Sequence, residues 1–191
     1  MTVGLRSSAR GFTLIELVVS TALGILVLIL IGGLLIGVLN AQSSVREAAQ
    51  SSNTGQLVAK ALIRDVRAAR DLTTAQPSAG TCVLRLTVIE DALTTPVSVR
   101  FVAWYFGNGE IRTKRSISAI AVPASASDAA NWTLLAAGVQ RVGSAPVFIA
   151  SGAQLNLSFQ VTGTAGAPVL IQTTAASRQP MPTNGASVPC S

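Results

Sequence analysis

A run of 23 residues, from Leu17 to Leu39, contains neither a charged side chain nor a proline. A helix needs about 20 predominantly apolar residues to cross the hydrocarbon core of a bilayer. The chain is 49% hydrophobic and only 12% charged, and its excess of apolar residues is concentrated in this segment. We predict a membrane-spanning helix over residues 12–40. Because Arg6 and Arg10 precede it, the positive-inside rule places that end in the cytoplasm and the rest of the chain outside.

A cleaved secretory signal is the first alternative, since it also begins with basic residues and continues with an apolar run. The run here far exceeds the roughly 7 to 15 residues of a signal core. No small-x-small cleavage site closes it near the sequence GVLNAQSS, residues 37–44. These two observations favour a span that is retained.

The sequence ARGFTLIELVVSTA, residues 9–22, resembles the N-terminal signature of type IV pilins and pseudopilins. In that family a membrane-embedded prepilin peptidase removes a short basic leader after a glycine and methylates the new amine. The resemblance implies a leader over residues 1–11, cleavage between Gly11 and Phe12, and methylation of Phe12. It also implies that Glu16, the fifth residue of the mature chain, takes part in subunit assembly.

The charge of Glu16 gives this resemblance a physical meaning. An ionised carboxylate inside a membrane is costly and indicates a function by default. Cleavage converts the amide nitrogen of Phe12 into an ammonium ion near neutral pH, so only the cleaved form offers a cation for Glu16. A buried pair of this kind sets register more than it adds stability. The alternative is that Glu16 reaches the cytoplasmic headgroups without any partner.

An amphipathic helix is predicted over residues 41–73. Setting one residue per 100 degrees places an apolar stripe on one face, made by Val58, Leu62, Val66, Ala69 and Leu72. The opposite face carries Lys60, Arg64, Arg67 and Asp71. Asp65 lies beside the stripe and needs a partner that the sequence does not name. The stretch SSNTG, residues 51–55, is the weakest part of this helix.

The remaining residues, 74–191, predict a β-rich head. In PVSVRFVAWYF, one face carries Val97, Val99, Phe101, Ala103 and Tyr105, and GNGE then supplies a hairpin turn. In QLNLSFQV, Leu155, Leu157, Phe159 and Val161 alternate with polar residues. CVLRLTVIE and PVLIQTT indicate further strands. We predict an α+β fold in which an antiparallel sheet lays these apolar faces on the helix stripe, as the resemblance to pilins also implies.

Two cysteines, Cys82 and Cys190, complete the predicted framework. In a head exported to an oxidising space two thiols usually pair, and a bridge would tie the tail rich in proline and glycine to the first strand. The alternative is two free or buried thiols. With no histidine in the chain and only these cysteines, no metal site, no cofactor and no catalytic residues are predicted, and an enzyme is not expected.

Two further stretches, ALIRDVRAARDL at residues 61–72 and VRFVAWYFGNGEIRTKR at residues 99–115, are similar to minor pilins of the W type and minor pseudopilins of the J type. This resemblance implies a structural subunit of a type IV pilus that helps assembly or initiation. The implied partners are prepilin peptidase, other pilins through the N-terminal helices, and the assembly platform. The implied locations are the inner membrane for the precursor and the cell exterior after assembly. A pseudopilus of type II secretion or competence, and a pilus-tip adhesin or DNA-binding subunit, remain alternatives.

A ligand patch is the last candidate. Arg112, Lys114 and Arg115 follow the aromatic residues Trp104, Tyr105 and Phe106 across the predicted hairpin, a mixture that single-stranded nucleic acid binders use. The alternative is that these cations protect an exposed edge strand against aggregation, with Arg112 and Lys114 on an outward face beside Glu110.

Overall fold

The structure is a computed structural model that describes residues 13–91, 98–163, 168–180 and 190. The chain divides into two compact units, one ending at Ser43 and the other beginning at Ser44. The α+β class is confirmed: one long N-terminal helix is followed by antiparallel strands.

Helix α1 extends from Leu14 to Ala68, a length of 55 residues. No proline interrupts it, and Thr13 caps its first turn. The part within the first unit exposes its apolar side chains along its whole length. The part within the second unit buries the predicted stripe, because Val58, Leu62 and Val66 are almost completely excluded from solvent.

The helix ends earlier than the sequence predicts. Residues 69–73 were expected to continue it, but strand β1 covers Ala69–Ala75. Ala69 and Leu72 are buried as predicted, although they are buried in the strand. A bulge between Ala69 and Asp71 allows residues three apart to reach the same face, so the spacing suits both structures. In the structure residues 69–75 pair with β2 instead of continuing the helix.

The first sheet has five antiparallel strands in the order β1-β2-β3-β4-β5. The strands after β1 are β2 Cys82–Asp91, β3 Ser98–Gly107, β4 Glu110–Ser116 and β5 Thr133–Ala137. Asn108 and Gly109 connect β3 to β4 with φ values of 53° and 73°. Positive φ at both central residues is the geometry of a two-residue hairpin turn, as the sequence GNGE predicts.

A second sheet was not anticipated. Its strands are β6 Val139–Gln140, β7 Phe148–Ser151, β8 Gln154–Val161 and β9 Val169–Ala176. Strand β8 pairs with β9 along one edge and with both β6 and β7 along the other. The predicted apolar face of β8 is confirmed, since Leu155, Leu157, Phe159 and Val161 are all buried.

The chain changes sheets at Gly138, which lies between β5 and β6 with φ of 69°. A Cβ atom at this position would lie 2.6 Å from the carbonyl oxygen of Thr162. The Gly138 carbonyl accepts hydrogen bonds from the backbone and the hydroxyl of Thr162, each at 2.9 Å. Only glycine satisfies both this conformation and this close approach, so Gly138 allows one chain to enter two sheets.

The sheet face that packs on the helix is the opposite of the predicted one. Val102, Trp104 and Phe106 join the helix stripe in the main core. Ala103 and Tyr105, predicted to face the helix, instead pack under the segment between β4 and β5. Residues 101–106 are six consecutive apolar residues, a run typical of a strand buried on both faces.

The weak stretch SSNTG remains helical and packs closely. Ser51 and Gly55 are both buried. A Cβ atom on Gly55 would lie 2.6 Å from Cγ1 of Ile171 in β9. The small residue that lowers helix propensity therefore lets the helix approach the second sheet.

Candidate functional site

The first candidate is the N-terminal segment of α1. Gly11 and Phe12, the predicted cleavage pair, lie outside the described residues. The backbone N–H of Glu16 donates to the hydroxyl of Thr13 at 3.3 Å. Thr13 is thus the N-cap and Glu16 the third helical residue, the positions of the two side chains of a capping box. A carboxylate in the first turn also interacts favourably with the helix dipole.

The helix that follows Glu16 presents an apolar surface on every side within its unit. Its most apolar window has a mean hydropathy of 3.0, and none of that window is buried. By length and composition this helix is able to cross a membrane. Gly24, Gly32, Gly33 and Gly37 have open space where a side chain would project. A surface of this composition is stable only where lipid or other apolar helices cover it.

The second candidate is the buried carboxylate of Asp65, whose partner the sequence did not name. The side chain of Asp65 is only 2% exposed. A guanidinium nitrogen of Arg115, in β4, donates to both carboxylate oxygens at 2.7 Å. Trp104 Nε1, in β3, donates to Asp65 Oδ2 at 3.3 Å. Arg64 adds a longer contact of 3.3 Å from a side chain that is 70% exposed. The cluster links the helix to two strands.

This cluster divides the predicted patch of Arg112, Lys114 and Arg115. Arg115 lies on the helix side of the sheet and forms an ion pair with Asp65. Arg112 and Lys114 lie on the other side. Arg112 contacts Glu110 at 2.7 Å and donates to the carbonyl oxygens of residues 130 and 132. Lys114 is exposed, and among the described residues no ion pair includes it.

The face that carries Arg112 is only partly the outward face that the sequence predicted, because Lys114 is exposed but Arg112 is mostly covered. Ile120, Ala129 and Trp132 cover it and form a second apolar cluster with Tyr105. The rings of Tyr105 and Trp132 meet edge to face with centroids 6.3 Å apart. Arg112 therefore fastens the covering segment to the sheet, which is a structural role. The three cations do not form one surface.

Tyr105 is a buried phenol in this second apolar cluster. Burial raises the pKa of its hydroxyl above the ordinary value of 10.0, the charge of Glu110 raises it further, and Arg112 opposes the change. Within the described residues the hydroxyl oxygen has no hydrogen-bond partner. A neutral phenol in a covered cluster fits a packing role for this side chain.

The two cysteines meet at the start of the first sheet. The structure joins Cys82, the first residue of β2, to Cys190 by a disulfide with Cα atoms 5.5 Å apart. Cys190 is buried, with its sulfur 3.6 Å from the carbonyl oxygen of Ala75. The segment after β9 returns to the helix end, because the N–H of Arg178 donates to the carbonyl of Arg67 at 3.1 Å.

That return creates a basic cleft that the sequence did not reveal. Arg178 lies beside the helix face that carries Lys60, Arg64 and Arg67, opposite the apolar stripe. The sequence shows three of the four cations, Lys60, Arg64 and Arg67, at helical spacing. The contribution of Arg178 depends on the tertiary path of the tail.

Within the described part of the chain, no group of three or more histidine, cysteine, aspartate or glutamate side chains is placed to hold a metal ion. Comparison with known proteins found no matching family model, no matching curated protein and no matching solved structure.

Proposed function

We propose that this chain is a minor pilin-like structural subunit of a type IV pilus. In this proposal it is made as a single-pass precursor in the inner membrane, cut between Gly11 and Phe12 by prepilin peptidase, and methylated on Phe12. The assembly platform then inserts it among other pilins, whose N-terminal helices contact its own. Its activity is assembly or initiation of the filament.

The exposed apolar helix from Leu14 to Leu39 carries the proposal. An apolar surface on all sides of a helix requires lipid before assembly and neighbouring helices afterwards. The acid at its start adds a second argument, since Glu16 is the only charged residue between Leu14 and Leu39. A freed ammonium ion from a neighbouring subunit would neutralise it within an apolar environment. A β-rich head closed by a disulfide suits a subunit exported from the cytoplasm.

Processing at Gly11 is tested by expressing the full chain together with a prepilin peptidase and sequencing the N-terminus. We expect a mature chain beginning with methylated Phe12. Gly11→Val should leave the full-length chain in the membrane fraction, whereas Gly4→Val, a matched change within the leader, should be processed normally. An unprocessed wild-type chain would refute the proposal, as would equal processing of the two variants.

The role of Glu16 is tested after processing. Glu16→Ala should be cleaved and methylated normally but should enter sheared filaments poorly, because the neighbouring amine would lack its partner. Thr21→Ala changes another polar residue of the same segment and should enter filaments like the wild type. Normal incorporation of Glu16→Ala would refute the pairing argument and leave Glu16 only its favourable interaction with the helix dipole.

A minor pseudopilin of a type II secretion or competence pseudopilus is the alternative assignment. It shares the processing and the helix and differs in the filament that contains the subunit. Deletion of the gene distinguishes them: loss of surface pili with normal secretion and DNA uptake supports the pilus. Loss of protein secretion or of DNA uptake with normal pili supports the pseudopilus.

A further inference from the structure

A cleft of about 550 Å³ lies where the last turns of α1 meet the segment after β9. Four cations line it, one of which comes from the tail: Lys60, Arg64, Arg67 and Arg178. Ile63 and Ala68 contribute apolar surface to the same cleft. The backbone bond from Arg178 to the Arg67 carbonyl holds the tail against the helix, so the two sides of the cleft are fixed relative to each other.

The three helical cations form a row along the axis. Residues 60, 64 and 67 lie at spacings of four and three, which places them on one stripe with roughly 6.0 and 4.5 Å between neighbours along the axis. Among the residues that the structure describes, no acidic side chain lines the cleft. Asp65, the residue after Arg64 in the helix, is buried, and Arg115 binds both of its oxygens. Arg64 contacts this carboxylate at 3.3 Å, whereas among the described residues no ion pair includes Lys60, Arg67 or Arg178, so three of the four positive charges are uncompensated.

The lining favours a protein segment over a nucleic acid. Single-stranded nucleic acids are usually held by aromatic side chains on which bases stack, and the described lining residues of the cleft include no aromatic side chain. Its aliphatic surface, with the half-buried Ile63 packed on the main core, fits the apolar side of a peptide. The basic rim fits carboxylates on either side of that apolar contact.

A second copy of this chain is a poor occupant. Between Ser44 and Ser191 there are twelve lysine and arginine residues against seven acids. Two such heads repel each other at low ionic strength. The seven acids include Asp65, which is buried, and Glu90 and Glu110, which pair with arginines. The partner therefore has to be a different and more acidic protein.

We infer that this basic cleft binds an acidic, amphipathic segment of a different protein. This inference rests on the proposed function, from which it follows that the partner is another subunit of the same filament. The cleft then selects a different subunit over a second copy of this chain. Carboxylates of the partner contact Lys60, Arg67 and Arg178, and one aliphatic side chain packs on Ile63. Repulsion between like heads then limits how many copies stand side by side.

The test uses the full chain in a non-ionic detergent and a fluorescent helical peptide of glutamate, leucine and alanine as the probe. We expect saturable binding that weakens as salt rises, and much weaker binding of the same peptide with glutamine in place of glutamate. Arg67→Gln combined with Arg178→Gln should raise the dissociation constant roughly tenfold.

The matched control combines Arg85→Gln with Lys114→Gln. It removes the same net charge from two exposed cations outside the cleft, and it should bind the peptide like the wild type. Equal weakening by the control, or no saturable binding to the glutamate peptide, overturns the inference. Tighter binding of an oligothymidine strand than of the peptide also overturns it in favour of nucleic acid. Processing at Gly11 is measured separately, so failure of the proposed function and failure of the cleft give different results.

Discussion

Substituting Arg115 should lower the free energy of unfolding more than substituting Asp65, although the two side chains form one ion pair. Arg115→Met removes the guanidinium group but retains an unbranched apolar stem. The carboxylate then remains buried at 2% exposure, and its remaining donors in the described part of the chain are Trp104 Nε1 at 3.3 Å and the largely exposed Arg64. Asp65→Asn removes the charge instead, and Arg115, whose side chain is 36% exposed, can then reach solvent.

The expected magnitudes follow from this asymmetry. Removing one partner of a fully buried ion pair destabilises a protein by about 3 to 5 kcal/mol, and partial exposure of Arg115 reduces this to about 2 to 3 kcal/mol here. Asp65→Asn retains an amide oxygen that accepts from Trp104, so we expect a cost of about 1 kcal/mol. The double variant should cost much less than the sum of the two, because the unpaired charge is absent.

The assay is urea unfolding of residues 41–191 followed by far-ultraviolet circular dichroism. Arg100→Met is the matched control: it removes an arginine of the same sheet whose 2.6 Å contact with Glu90 joins two exposed side chains. We expect this control to change the free energy of unfolding by less than about 0.5 kcal/mol. The reasoning fails if Arg115→Met costs no more than Asp65→Asn, or no more than the control.

Three further predictions concern the same head. Because burial raises the pKa of Tyr105 in the folded state, its contribution to stability is complete below pH 10.0 and lost as pH rises toward the folded pKa; Tyr105→Phe should remove this dependence in unfolding titrations. Replacing Cys82 and Cys190 with alanine should lower the free energy of unfolding by about 4 kcal/mol, since the bridge joins residues 108 apart; a change below about 1 kcal/mol in the same urea assay would contradict this. Gly55→Ala should destabilise the protein by about 1 to 3 kcal/mol, although alanine has the higher helix propensity, because the added methyl group would overlap with Ile171. A higher melting temperature of the variant in thermal unfolding would contradict this and show that β9 moves to accommodate the methyl group.

Local patterns in the sequence predicted most of the elements. The apolar run and the stripe at helical spacing predicted one long helix, and alternation predicted the buried face of β8. The turn residues Asn108 and Gly109 predicted the hairpin from β3 to β4. Each of these features depends on residues close together in the chain, so a period or a turn preference is enough to identify it.

The candidate residues divide in the same way. The motif around Gly11 and Glu16 is local and remains a prediction from sequence. The need of Asp65 for a partner was predicted from its place beside an apolar stripe, but Arg115, 50 residues away, was assigned to a ligand patch. Pairing between distant residues has no sequence period, and strand register alone decided which side of the sheet carries each cation.

The sequence by itself determined that this chain has an uncovered apolar helix led by a single acid and followed by a β-rich head, because composition and periodicity act within a few turns or strands. Only the tertiary structure decided that the helix ends before Ala69, where a strand begins, and that the strands divide into two sheets at Gly138. It also decided that Arg178 completes a basic cleft. These outcomes depend on backbone pairing and close packing between segments far apart in the chain, where long-range contacts override local preference.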